Sequence, residues 1–355
     1  MPAPALTVRA GRRAIETIRR EGFRSDAFST LLGASGGPKW LVLAQLDRVL
    51  ARRLVAGRTA PLHAFGTSIG AFRHSCHAHP EPLAAFDRFE AAYVGQAYET
   101  KPTPAEVTAV SRRILGELVG GNGAVPAMLA HPTVRLHVGT VLSRGPVNTD
   151  AKVPLALGLG VAATANALSR RLLGAFFERV VFHSTPDPAI HFTDLATKQA
   201  RLDAANLEPA ILASGSIPLV MAAIADVPGG PRGLYRDGGI TDYHFAMDFE
   251  PPEGLVLYPH FFDRIVPGWF DKPLKWRRPT GALLDRTVFL APSREFVATL
   301  PGKKVPDRDD FVTYRTAERQ NVWRQVMSES VRLADELEAL MEGDRLAEAA
   351  RGFDD

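Results

Sequence analysis

The chain has 355 residues, 46% of them apolar and 23% charged, with a formal net charge of +3. That is the composition of a globular protein with a sizeable core, and the charge is too small to argue for a nucleic-acid partner. Its single cysteine, Cys76, excludes an internal disulfide framework and a multi-cysteine zinc site, and fits a reducing cytoplasm.

The first residues, Met1 to Arg9, lack the apolar centre of a secretory signal. Arginines at 9, 12, 13, 19, 20 and 24 interleave with Val8, Ile15 and Ile18, which predicts a basic amphipathic helix over residues 8–21. Its plain reading is a solvated surface helix, with a role at a membrane surface left open. Residues 28–32 form an apolar run that leads into Gly33-Ala34-Ser35-Gly36-Gly37. Pro38 follows, and Leu41, Leu43, Leu46, Val49 and Leu50 mark a helix over 39–54. Proline is favoured at a first helical position, so these glycines lie in a strand-to-helix turn.

A second strand is predicted over 62–67, and it runs into Gly66-Thr67-Ser68-Ile69-Gly70 and a helix over 69–79 stopped by Pro80. In this G-x-S-x-G pattern, glycines two residues either side of a serine permit a turn tight enough to hold the serine at its apex. The helix beyond points free N–H groups to the same spot. Further short strands are expected over 134–142, 180–183, 255–258 and 288–290. Strands alternating with helices imply an α/β layered domain with a largely parallel sheet.

The longest uncharged run, 153–169, contains Gly158, Gly160 and Asn166 and is too short to span a bilayer, which takes about 20 residues. It reads as a buried or pocket-covering helix. A lid touching a membrane stays open, because Arg170 and Arg171 follow at once. The mixed aromatic and basic stretch 269–278 reads as a surface loop with the same alternative. From Phe311 to Met341, apolar residues at helical spacing predict a C-terminal amphipathic helix ended near Gly343. With no repeat and no linker, one domain is expected over residues 1–355.

A serine at such a turn needs a base, donors for an oxyanion and a pocket that excludes water. Gly36 and Gly37 can supply donors, although a plain tight turn remains the simpler reading of that stretch taken alone. Asp237, in Arg236-Asp237-Gly238-Gly239, offers a carboxylate, although aspartate before glycine is also an ordinary turn signal. His244 and His260 are the downstream histidines late enough for a Ser–Asp–His order. His74, His77 and His79 crowd the serine helix, but H-E-x-x-H is missing and no metal is expected.

The set S-G-G-P-K, G-T-S-I-G and D-G-G, in that chain order, resembles the patatin-like phospholipase family over a core of about 28–258. The resemblance implies a three-layer α/β/α fold with a mostly parallel central sheet and a Ser–Asp acyl hydrolase that uses no histidine and no cofactor. Ser68 would be the nucleophile and Asp237 its base, with the Gly36 and Gly37 amides holding the oxyanion. Lys39 matches the basic position of the family's turn and is expected to bind substrate. Ala213-Ser214-Gly215-Ser216-Ile217-Pro218 is similar to the family's stretch before the aspartate.

The chain departs from the family pattern at Ser35, which stands for a glycine, and at Pro38-Lys39-Trp40. Proline there removes a donor, and Trp40 is expected to reshape the acyl pocket. The expected substrate is a lipid or other ester and the expected location cytoplasmic, peripheral membrane contact staying open. Two other readings also stay open: a Ser–Asp–His esterase, and a non-catalytic lipid- or partner-binding protein on the same fold.

Overall fold

The computed structural model describes residues 3–121, 123–188, 190–245, 249–277, 279 and 282–353. Met1, Pro2 and Arg278, which entered the sequence reading, lie outside these residues. Twelve strands follow in chain order: β1 (Leu6–Ala10), β2 (Phe28–Gly33), β3 (Leu62–Thr67), β4 (Val134–Ser143), β5 (Phe177–His183), β6 (His191–Phe192), β7 (Thr197–Arg201), β8 (Ile224–Ala225), β9 (Leu234–Asp237), β10 (Phe249–Glu250), β11 (Leu255–Pro259) and β12 (Thr287–Pro292).

Ten of them form one sheet with the spatial order β1-β12-β11-β2-β3-β4-β5-β7, and β9 and β8 add beside the far half of β4. The central run β12-β11-β2-β3-β4 is parallel throughout, whereas β1 and β5 join it antiparallel. Every residue of β3, β5, β11 and β12 is buried, so both faces of the sheet are covered. That is why these strands read as continuous apolar runs rather than as alternation. The fold is α/β with a mostly parallel central sheet.

The N-terminus departs from the expected helix over 8–21. Residues Leu6–Ala10 pair with β12 as an edge strand, and the helix begins only at Arg12 and ends at Glu21. Leu6, Val8 and Ala10 are buried while Thr7 and Arg9 are partly exposed, a period of two that the run of arginines concealed. Arg9 meets Asp263 and the Gly352 carbonyl, so its charge is satisfied locally. The C-terminal helical region is divided into Asp310–Thr313, Thr316–Glu329 and Val331–Glu342, the last two packing on the segment Gly37–Leu43 and the helix Ala44–Leu50.

The uncharged run forms the helix Lys152–Leu168. It seats Leu155, Leu159 and Ala162 in a small second core with Val141, Val147, Leu173, Phe177 and Ile240. It is not buried all round. Val153, Leu157, Val161 and Leu168 are 68%, 68%, 55% and 79% exposed, so the expectation of a buried helix holds for one face only.

Candidate active site

Strand β4 brings the site together. Its first half pairs parallel with β3, ending at Thr67 opposite Gly139. Its second half pairs antiparallel with β9, whose last residue, Asp237, lies opposite Thr140. Two strands far apart in sequence therefore run towards each other along one edge of β4 and stop one residue apart. Ser68 Oγ donates a 2.7 Å hydrogen bond to Asp237 Oδ2 at that meeting point.

The turn is held open by close approach and by strain. A Cβ on Gly70 would collide with the Gly33 carbonyl, and one on Gly66 with the backbone of Gly70. Both glycines are thus required for β2, β3 and the helix Ile69–Ala78 to pack. Ser68 itself has φ 53° and ψ −129°, a costly conformation for a side-chain-bearing residue. Its amide donates to Ser214 Oγ at 2.8 Å, and Ser214 in turn donates to the Gly139 carbonyl at 2.6 Å. Ser214, at the end of the helix Leu207–Ser214, therefore fixes both the serine turn and β4. The resemblance marked its position; its role follows only from the geometry.

Asp237 is buried, and burial is the main influence that pushes its carboxyl up to about 6. The Ser68 hydroxyl, the Gly239 amide (2.7 Å to Oδ1), Arg308 and Lys272 oppose that shift. The segment after it is anchored by the buried Arg179, which binds Asp242 through two hydrogen bonds of 2.6 and 2.8 Å and also reaches Asp194. Nothing in the sequence pattern singled out this Arg179 pairing.

Gly36 and Gly37 lie on the other side of Ser68, in the wall of the same small pocket. Gly37 has φ +56°, and a Cβ on Gly36 would strike the Phe261 ring. Ser35, which departs from the family's glycine, hydrogen-bonds Thr67 Oγ1 at 2.8 Å, and Thr67 donates to the Asp242 carbonyl at 2.7 Å. One short chain of hydroxyls thereby ties the glycine turn, the serine turn and the aspartate segment together. Trp40 does not reshape the pocket as expected. It is fully buried, stacked on Phe89 at 4.4 Å, behind the wall to which Tyr93 contributes.

The hydroxyl of Ser68 opens onto a cavity of about 1140 Å³, with Ile69, Phe72, Ile114, Ile217 and Met221 among its apolar lining. Lys39 is in the small pocket beside the dyad. No histidine hydrogen-bonds Ser68 or Asp237 among the described residues. His244 and His260 are buried with ring centroids 4.3 Å apart; His244 Nδ1 accepts from the Val266 amide and His260 Nδ1 from the Phe262 amide. Among the described residues, no group of three or more His, Cys, Asp or Glu side chains is placed to hold a metal ion. Nor is any described helix long and apolar enough to cross a membrane.

No protein-family model matches the chain, and no curated protein sequence matches it. Among solved structures, it is similar to the crystal structure of VipD from Legionella pneumophila. The identity is 10%, the coverage 93% of this chain and 70% of VipD, and the TM-score 0.33, too low to argue from.

Proposed function

We propose that the protein is a serine acyl hydrolase that cleaves lipid acyl esters through an acyl-serine intermediate, with Ser68 as nucleophile and Asp237 as base. One observation carries this reading: a strained serine, hydrogen-bonded at 2.7 Å to a buried carboxylate, on the wall of a large, mainly apolar cavity. As Ser68 attacks the ester carbonyl, its proton passes to Asp237 and negative charge develops on the carbonyl oxygen. The amides of Gly36 and Gly37 face that region and donate to the oxyanion. The alcohol leaves, water enters, and Asp237 acts again as base to release the acid. The exposed apolar face of the helix Lys152–Leu168 meets a lipid surface in this reading.

The test is labelling by a fluorophosphonate probe together with turnover of a short-chain nitrophenyl ester. Label on Ser68, loss of turnover in Ser68→Ala and a fall of about a hundredfold or more in Asp237→Asn are expected. Near-native turnover in Asp237→Asn would overturn the dyad. A Ser–Asp–His mechanism would instead require His244→Gln or His260→Gln to be inactive while folded. Lipid binding without labelling would favour a non-catalytic scaffold.

A further inference from the structure

Two lobes of the site meet at Ser68. The large cavity receives an apolar chain, as its lining dictates. The small lobe, about 50 Å³, has room for about four waters, the size of one compact anionic group. Lys39, Lys272 and Arg308 line it, from three segments far apart in sequence. Asp237 is the one carboxylate lining it among the described residues, and both its oxygens are engaged by Ser68 and Gly239.

None of the three cations makes a side-chain hydrogen bond or ion pair with a described residue. Elsewhere the buried arginines are paired: Arg73 with Asp47, Arg179 with Asp194 and Asp242, Arg236 with Asp150. Aromatic rings hold the two ammonium groups in place without neutralising them. Lys272 Nζ lies 4.3 Å from the Tyr243 ring centre and Lys39 Nζ 5.8 Å from that of Phe262. Partial withdrawal from water, then the charges of Arg308 and Lys39, push Lys272 down to about 8. Such crowding of like charge is relieved by an anion.

We infer that this lobe binds a phosphate-type anionic group of the substrate, so that the ester cleaved at Ser68 lies between an apolar acyl chain and a negatively charged head a few bonds away. The assignment deepens the acyl-hydrolase reading and rests on it for the position of the ester. The cations alone carry the charge preference. Lys272 and Arg308 belong to segments outside the core that resembles the patatin-like family, so the preference is a property of this chain.

The experiment uses full-length Ser68→Ala protein, which cannot turn substrate over, and calorimetric titration with three probes: hexanoyl-glycerol 3-phosphate, uncharged monohexanoylglycerol and inorganic phosphate. The phosphate-bearing ester is expected to bind on the order of tenfold or more tightly than the uncharged one. Adding Lys272→Met and Arg308→Met should erase that difference while the uncharged ester still binds. Equal affinity for the two esters, or a difference that survives the two substitutions, would overturn the inference. Tighter binding of inorganic phosphate than of the phosphate-bearing ester would assign the lobe to a free anion and overturn it as a substrate site. Failure of Ser68 labelling in the unsubstituted protein would sink the hydrolase reading instead, so the two failures are told apart.

Discussion

Burial and hydrogen bonding pull the proton of Asp237 in opposite directions, and burial wins. A carboxyl raised from 3.8 to about 6 binds its proton more tightly in the folded chain than in the unfolded one. Its charge therefore costs stability above about pH 6, and the cost fades as pH falls from there towards 4. A base must be ionised, so turnover is expected to rise through about pH 6 and level off above it. The two effects oppose each other in one residue. Asp237→Asn removes the charge and retains both the acceptor for the Gly239 amide and a donor for Ser68. It should gain up to about 3 kcal/mol at pH 7.5, from a shift of about two pH units, while losing turnover. Chemical denaturation of both proteins at pH 7.5 and 4.5 checks this: the gap should shrink by more than half at the lower pH. A gap independent of pH would mean that the aspartate is not destabilised by burial.

At the level of elements, the site depends on β4 as a template with β3 and β9 ending against it. Ser214 pins the junction by engaging the Ser68 amide and the Gly139 carbonyl at once. Ser214→Ala leaves both groups buried without partners and is expected to cost about 2 kcal/mol. It should also slow fluorophosphonate labelling of Ser68 about tenfold or more, as the turn loosens; an unchanged labelling rate would show that the turn holds itself. The central parallel strands were legible because burial on both faces leaves uninterrupted apolar runs bounded by glycine. Residues 62–67 were read with their observed ends for that reason. Strand β9 was not legible: Tyr235-Arg236-Asp237 is polar, and its burial depends on Arg236 finding the Asp150 carboxylate. Strand β1 was hidden by arginines whose partners lie more than 250 residues away. Ser68, Asp237, Gly36, Gly37 and Lys39 were nameable from motifs, and the structure brings all five around one pocket. Lys272 and Arg308 sit in loops without a motif, and only the fold makes them neighbours.

Across the whole molecule, the helix Lys152–Leu168 joins the site to its surroundings. Its buried side packs with Trp269 and Ile240, which also line the small lobe, and Asn166 donates to Asp271 one residue before Lys272. Its outer side is apolar from Val153 to Leu168, flanked by Lys152 and Arg171, with no acidic residue between Asp150 and Glu178. Trp276 nearby in the chain from Lys272 is 73% exposed. A contiguous apolar face bounded by cations suits the headgroup boundary of an anionic bilayer. The intact protein should then co-sediment with vesicles of phosphatidylcholine mixed with phosphatidylglycerol, and less with phosphatidylcholine alone. Leu157→Asp with Val161→Asp places two charges on that face, and vesicle binding should fall on the order of tenfold or more. Circular dichroism of the double variant reports whether it remains folded. If the unaltered chain ignores anionic vesicles, or sediments as a dimer that the same two substitutions dissociate, the face belongs to a second copy of the protein and not to a lipid surface.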